Sequence, residues 1–455
     1  MTGTFSSFSS ALSALRYNRV AMDVASGNVS NAGTAGYARR SVIGQATGAP
    51  AVPAVWSRWT GAGDGVEPSR VDRMVDPLLD ARSRTEHAAS SFLDARSTSL
   101  VRFETAIAEP GEGGVAAALA AFQQGWHDVA NNPGDSAAGT QLLARAETLR
   151  STIATQAGAV TKEWADQRIR LTAQATDVNQ TAAQLADLNK GLRAAYLAGT
   201  DAGTLLDQRD QLTLKLASLT GAAVTVNEDS TVDVQVGGQA LVTGNTAATV
   251  TVSGSTDLAG AASDPVTFTV GGTAVNLGAG EVGATQQLIG TDLPGYLARL
   301  DTFVATMTAA VNTQHAKGVD LAGLTGGPVF AGSTALTLQV AISDPAKLAA
   351  ADPAKGGLDN TNADALATLD IGASAYRDLV AGFGVTVSAA RQLAANQTVL
   401  TAQVDASREA LSGISIDEEM VNLLAAQRGY EGASRVLTTL DSVLDTLINR
   451  TGLVR

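Results

Sequence analysis

Three histidines, one glycine-rich run and two short acidic stretches are the residues of this 455-residue chain whose types could do chemistry. His87, His127 and His315 could act as proton shuttles or metal ligands. They lie far apart, and none sits in a HExxH or nucleophile setting, so each is expected at a surface or boundary. Gly278-Ala-Gly280-Glu-Val-Gly283 fits the GxGxxG pattern, which binds dinucleotides only where a helix N-terminus follows to receive the pyrophosphate. Gly290 and Pro294 are expected to break any such helix, and no repeated βαβ pattern surrounds the run. Leu205-Leu-Asp207-Gln-Arg209-Asp210 is charge-dense and reads as a solvated or intersubunit helix face. Asn227-Glu-Asp229 is too short for a calcium loop. Carboxylates are plentiful, but nothing singles out a catalytic pair. The chain has no cysteine, which excludes disulfides and thiolate metal sites. The expectation is a protein that is not an enzyme, with no catalytic residue, no metal site and no cofactor.

Composition narrows the class further. The net charge of −13, from 31 basic and 44 acidic residues, argues against a nucleic-acid partner, which needs a basic stripe. With 45% hydrophobic but only 4% aromatic residues, the cores should be aliphatic and alanine-rich. Such a composition favours long slim helices. No charged n-region with an apolar run opens the sequence, so no cleavable signal peptide is expected. The most apolar stretches, such as Val115 to Phe122, fall far short of the roughly 20 residues that span a bilayer, so no membrane partner is expected either.

The elements that must position these residues follow from periodicity and breakers. A first helix is predicted from about Thr4 to Val29, broken by Asn28, Asn31, Gly33 and Gly36. Residues 38 to 70 read as extended segments and turns with a hairpin. Helices are predicted over 72–107, 114–131, 136–197 and 205–219, with Asn131-Asn132-Pro133-Gly134 as a firm turn. At Gly221 the pattern changes. Val232, Val234 and Val236 alternate with polar residues, as do Val266, Phe268 and Val270, which is the period-2 signature of half-buried strands. Pro294 opens a helix to about Lys317. Residues 318 to 362 are rich in Gly, Pro and Asp, and 363–411 is mostly helical. A closing helix starts at Ser415 with Glu418 three residues on, a capping box. The fold class is therefore mainly α with a β insert. The predicted domains are a terminal helical coiled coil from 1–40 plus 406–455, a helical-bundle body from 41–220 plus 291–405, and an inserted antiparallel β domain at 221–290.

The two ends carry matching seams. Phe5, Phe8, Leu12, Leu15, Arg19, Met22, Ser26 and Val29 follow a 3-4 spacing. So do Ile416, Met420, Leu423, Gln427, Tyr430, Ser434, Leu437, Asp441, Leu444 and Ile448. That spacing puts one stripe on one side of a helix that winds around a partner. Val436, Leu440, Val443 and Leu447 form a second stripe on the closing helix, which implies packing against at least two neighbours. A helix buried in a monomeric bundle is the alternative. Gly429 and Gly432 each cost roughly 1 kcal/mol of helix propensity, so the termini are expected to order on assembly by coupled folding and binding.

Asn28-x-x-Asn31-x-x-Thr34-x-Gly36-Tyr37 resembles the N-terminal motif of bacterial flagellar rod, hook and hook-associated proteins, with Ala35 where that motif usually has proline. Asp128-Val-Ala-Asn-Asn-Pro133, Leu205-Leu-Asp-Gln-Arg-Asp-Gln-Leu212, Leu297-Ala-Arg-Leu-Asp301 and Val311-Asn-Thr-Gln-His315 resemble the hook-associated protein 1 (FlgK) family. So does the tail from Ser412 to Asn449. The resemblance implies a structural component of the flagellum at the hook–filament junction, exported by the flagellar type III apparatus and placed outside the cell. It implies as partners other copies of the chain, the hook protein, hook-associated protein 3, and a cytoplasmic export chaperone on the C-terminal region. Within the class, the alternatives are hook-associated protein 3, flagellin or hook protein; outside it, a secreted adhesin-like protein.

Overall fold

The computed structural model of the chain describes residues 2–47 and 65–450, with side chains described over 7–47 and 65–446. The expectations for Phe5, Leu447 and Ile448, and for the middle of the 38–70 stretch, concern residues or side chains outside that set. The fold is mainly helical with small antiparallel sheets, as the sequence pattern implies.

Helix α1 (Thr2–Ser30) leads into a hairpin of β1 (Arg40–Thr47) and β2 (Gly65–Arg73), which lies against α1. Helix α2 (Pro77–Ile107) starts on Asp76, whose carboxylate accepts the Leu78 and Leu79 amides, with Pro77 in the first turn. Helix α3 (Val115–Asn131) stops at the expected Asn-Asn-Pro-Gly turn.

Helix α4 (Ser136–Ala198) is the spine. Its 63 residues extend about 95 Å at 1.5 Å per residue. Its buried positions, from Leu142 through Ile153, Trp164, Leu171 and Leu185 to Leu192, advance by threes and fours close to the natural period of a straight helix. One hydrophobic cluster runs along this face. It joins α3, α5 (Gly203–Thr220) and the strands that follow. Those strands form two sheets. The first is β3 (Ala223–Val226), β4 (Val232–Val236), β5 (Gln239–Thr243) and β6 (Thr246–Ala247). The second is β7 (Val250–Ser253), β8 (Thr267–Val270) and β9 (Thr273–Ala274). Val232, Val234 and Val236 on one sheet, and Phe268 and Val270 on the other, are buried in the same cluster as the α4 residues.

Two helix-borne asparagines tie these sheets to the spine. Asn189 Oδ1 accepts the Val232 N–H at 3.1 Å, and its Nδ2 donates to the Val232 carbonyl at 2.8 Å. Asn179 treats Val250 the same way, at 2.8 Å for both bonds.

From Gly280 the chain is helical again. Helix α6 (Gly280–Gln287) passes through a π turn at Leu288–Asp292 into α7 (Leu293–His315). This corrects the expectation that Gly290 and Pro294 would end any helix after the glycine run. Gly290 sits in the π turn, and Pro294 follows directly after it, where the widened turn accommodates the missing N–H. The glycine run is not an open cradle. Gly280 adopts φ +72°, and a Cβ there would meet the Thr220 and Gly221 main-chain nitrogens at 2.6–2.7 Å. The space a pyrophosphate would need is occupied by the end of α5.

After α7 come the short pair β10 (Phe330–Ala331) and β11 (Gln339–Val340), α8 (Thr361–Ala367), α9 (Ala373–Ser412) and α10 (Ile416–Arg450). The N-terminal part of α9 packs on the core. Its C-terminal part runs antiparallel along α2 through polar pairs: Arg408 to Asp80 at 2.9 Å, His87 to Asp405 at 3.0 Å, and Gln397 to Glu86 at 2.6 Å. No described residue of α1 or α10 belongs to the main cluster.

His315 departs from the surface position expected for it. It is fully buried. Its Nδ1 faces the Gly327 carbonyl at 2.7 Å, and its Nε2 accepts the Ala349 N–H at 2.8 Å. A ring that accepts at Nε2 and donates at Nδ1 is the neutral tautomer, and burial lowers its pKa below the usual 6.5. The unfolded chain therefore takes up a proton near pH 6.5 that folded His315 refuses, so its contribution is complete above that pH and is lost on acidification.

Melting temperature should fall between about pH 7 and pH 5, and His315→Gln should lower stability at neutral pH while flattening that acid slope. Asn189→Leu leaves both Val232 main-chain groups unpaired and should cost about 1–3 kcal/mol. Urea unfolding measures the loss, and faster amide exchange at Val232 locates it.

Candidate functional site

The candidate site is the neck where the terminal helix pair meets the body, together with the pair's outer face. Neck residues come from five places: the end of α1, the loop into β1, the end of β2, the start of α5, and the start of α10.

Asn28 is central to it. It lies inside α1 and is fully buried, so it is not the helix breaker the sequence suggested. Its Oδ1 accepts the Arg40 N–H and the Tyr37 hydroxyl, both at 3.1 Å. Its Nδ2 donates to the Arg40 carbonyl and to Glu419 Oε2, both at 2.9 Å. All four hydrogen-bonding positions of the carboxamide are used. Asn31 caps the helix end, its Nδ2 donating to the Gly27 carbonyl at 2.9 Å, and Thr34 closes the turn onto Asn31 Oδ1 at 3.3 Å. Gly36 turns the chain at φ +75°, where a Cβ would overlap the Gln211 carboxamide. Gln211 in turn donates to the Ala35 carbonyl. The Tyr37 ring lies 5.0 Å from the Arg40 guanidinium, a cation–π distance. Burial raises its pKa and keeps it a phenol able to donate to Asn28.

The Leu205–Asp210 stretch is not a solvated or intersubunit face, as its charge density suggested. Asp207 is buried. It meets Arg73 at 2.7 Å and Arg40 at 3.4 Å, and Asp210 takes Arg73 at 2.8 Å and Arg209 at 2.7 Å. Arg209 also donates to the Ser230 carbonyl at 3.0 Å. The acid groups hold the two arginines that flank the hairpin, Arg40 at its start and Arg73 at its end. On the other side of the neck, Glu419 is buried and takes Arg39 Nε at 2.8 Å. The Arg39 N–H donates to the Ser412 carbonyl at 2.9 Å, joining the neck to the end of α9. Arg39, Arg40 and Arg73 were not singled out from the sequence. The adjacent arginines that follow Gly36-Tyr37-Ala38 were the available signal.

Beyond the neck, α1 and α10 run antiparallel. Asn28 meets Glu419, and Asn18 lies against Gly429. Ala25 on α1 and Ala426 and Ala433 on α10 are buried here, with Gly429 between the latter two. Leu423, Leu437, Leu440 and Leu444 are half-buried on the same side, as are Leu15, Met22 and Val29 on α1. The remaining large seam residues face outward: Phe8, Leu12, Ile416, Met420, Tyr430, Val436 and Val443 are exposed. Helix α10 starts with Ser415 Oγ accepting the Glu418 N–H at 3.4 Å, one half of the predicted capping box.

Among the described residues, no group of three or more His, Cys, Asp or Glu is arranged to hold a metal ion. No described helix is long and apolar enough to cross a membrane. The carboxylates that cluster do so around arginines. Asp207→Ala should leave Arg40 and Arg73 short of their shared partner at a cost on the order of 3 kcal/mol. Hydrogen exchange should speed at Ala38 and Arg40, while amides of α4 stay protected.

Residues 100–330, from the end of α2 to β10, match the family model described as the flagellar hook-associated protein FlgK helical domain. Residues 407–450 match the flagellar basal body rod FlgEFG protein C-terminal model. The chain is 27% identical to the flagellar hook-associated protein 1 of Bacillus subtilis (strain 168), with 99% of each chain covered. It is 24% identical to that of Escherichia coli (strain K12), covering 96% of this chain and 98% of the relative. The solved structure of the flagellar hook junction protein FlgK from Burkholderia pseudomallei matches with a TM-score of 0.65 at 17% identity, covering 74% of this chain and 100% of that one. A helical body built on α4 and a C-terminal helix of the axial type thus converge on one assignment: the chain belongs to the flagellar hook-associated protein FlgK family.

Proposed function

We propose that the chain is a structural, non-catalytic subunit of the junction between flagellar hook and filament, and that its terminal helix pair is the part that enters the wall of subunits. The observation that carries this reading is the division of residues on α10. Small side chains close the contact with α1, and large apolar ones face out. Ile416, Val421 and Leu424 keep 53%, 65% and 50% of their surface exposed. An outward apolar stripe along α10, joined by Phe8 and Leu12 near the start of α1, is stable only when covered. The covering surfaces are other copies of the chain, with hook protein below and hook-associated protein 3 above.

Ordering of the termini is coupled to this assembly, and before export a cytoplasmic chaperone covers the same C-terminal stripe. Export through the flagellar type III route to the outside of the cell fits a cysteine-free chain. The absence of catalysis fits a site whose buried carboxylates are each held by arginine or a main-chain amide.

Met420→Asp and Val436→Asp place a charge on the outer stripe and leave the inner seam intact. Introduced into cells lacking the wild-type chain, each should give complete hooks with filament protein shed into the medium. The purified variants should keep the melting behaviour of the body. Full-length filaments on cells carrying either variant would contradict the proposal.

A further inference from the structure

The inner seam of the terminal pair raises a problem of register. Ala425, Ala426, Gly429, Gly432 and Ala433 place small residues on nearly every turn of this part of α10. A small-residue seam repeating about every heptad can slide by seven residues and still find small neighbours, because its packing carries little shape information. Yet the outer stripe is useful to a lattice only at one height.

We infer that two contacts, the hydrogen bond of Asn28 with Glu419 and the close approach of Asn18 to Gly429, fix the register of α10 on α1. The inference rests on the reading of the outer stripe as the lattice face. The two contacts are mutually consistent: ten residues back along α1 and ten forward along α10 lead from one to the other. At Asn28 the α1 side is held independently of α10. Three of its four hydrogen bonds go to Tyr37 and Arg40, and Arg40 is anchored on Asp207. The fourth donor, with Arg39 beside it, forms a socket for one acidic side chain. Glu419 fills it, buried, with Oε2 on Asn28 and Oε1 on Arg39.

If α10 slid one heptad so that Ala426 came opposite Asn28, a buried amide donor and an arginine would lose their acceptor. That is the situation in which a buried polar pair discriminates between registers. The second contact works by exclusion. Asn18 is fixed by donating to the Ala14 carbonyl at 2.7 Å, and a Cβ at position 429 would overlap its carboxamide. The same slide would bring Val436 to that place, and the opposite slide would bring Asn422. Gly429 is therefore a close-approach position and not merely a weak point in the helix.

The chain has no cysteine, so introduced pairs report register without background. From the two observed contacts, Ala21 lies opposite Ala426 in the native register and opposite Ala433 after a slide of one heptad. Two full-length chains, Ala21→Cys with Ala426→Cys and Ala21→Cys with Ala433→Cys, are oxidised in parallel. Oxidation accumulates even transient pairing, so the ratio of the two yields does not depend on how much of the pair is ordered at any instant.

The native-register pair should cross-link about tenfold more than the slipped pair. Adding Glu419→Leu, or separately Gly429→Ala, should bring the two yields close together. Glu419→Leu leaves the Asn28 donor and Arg39 without their acceptor in either register, which removes the advantage of the native one. Equal yields in the unsubstituted background would overturn the inference, as would an unchanged ratio in both variants. Incorporation into flagella is scored separately, so a failed lattice role and a failed register role give different results.

Discussion

A carboxamide on a helix that pairs with both main-chain groups of a single extended residue is the interaction on which this architecture depends. Helices satisfy their own main chain, whereas a sheet fragment ends in unpaired N–H and C=O groups that cannot be buried without partners. A mainly helical body can therefore carry small sheets only if something finishes their edges. Asparagine is the shortest side chain that presents a donor and an acceptor in the arrangement of a peptide group. Asn179 does this for Val250, Asn189 for Val232, and Asn312 for Phe330, the last at 3.1 and 2.8 Å. Asn28 does the same for Arg40. The core and the neck thus use one device. It lets α4 accept both sheets into the hydrophobic cluster it shares with α7.

The neck adds charge to that device, because few apolar residues converge there. Buried ion pairs contribute little net stability against well-packed apolar groups, but they penalise wrong geometry heavily. Arg73 bridges Asp207 and Asp210, and Arg40 reaches Asp207 from the other end of the hairpin. Arg39 reaches Glu419. Each arginine is planar and directional in what it accepts as a partner. Together they specify how α1 leaves the body and where α10 returns to it, which a greasy contact would leave loose.

Much of this was legible from residue patterns, and the remainder was hidden for identifiable reasons. Period-3.6 and period-2 signals placed the long spine and the valine strands, because burial on one face imposes those periods on any sequence. The Asn-Asn-Pro-Gly turn and the Ser415 cap rest on local chemistry and were equally plain. Asp207 was misread because its arginine partners lie more than a hundred residues away, and a helix-surface pattern carries no trace of them. His315 was misread because its two partners are main-chain groups, which have no sequence signature. Asn28 looked like a breaker because asparagine suits helix ends, but tertiary pairing overrode propensity. The seams were visible as seams, but which side faced the partner helix was not. Alanine and glycine close approach leaves no mark in a hydrophobic pattern that weighs residues by size.

That last point bears on the energetics of the terminal pair. A buried alanine methyl is worth about 0.8 kcal/mol, whereas covering a leucine, valine, isoleucine or methionine is worth about 1.5–3 kcal/mol. The inner contact of α10 is built around Ala426, Gly429 and Ala433, with leucines only half-buried beside them, while Ile416, Met420, Val421, Leu424, Val436 and Val443 wait outside. More apolar free energy is therefore available from what the pair has not yet touched than from its closest contact. Against an ordering cost of about 1–2 kcal/mol per residue, the inner seam alone is a weak reason for two long helices to stand together. The neck gives them a fixed starting point, and in the proposed assembly neighbours on the outer stripe supply the larger share. Under the proposed assembly no separate switch is needed: with small residues inside and large ones outside, each subunit's order would depend on the subunits beside it.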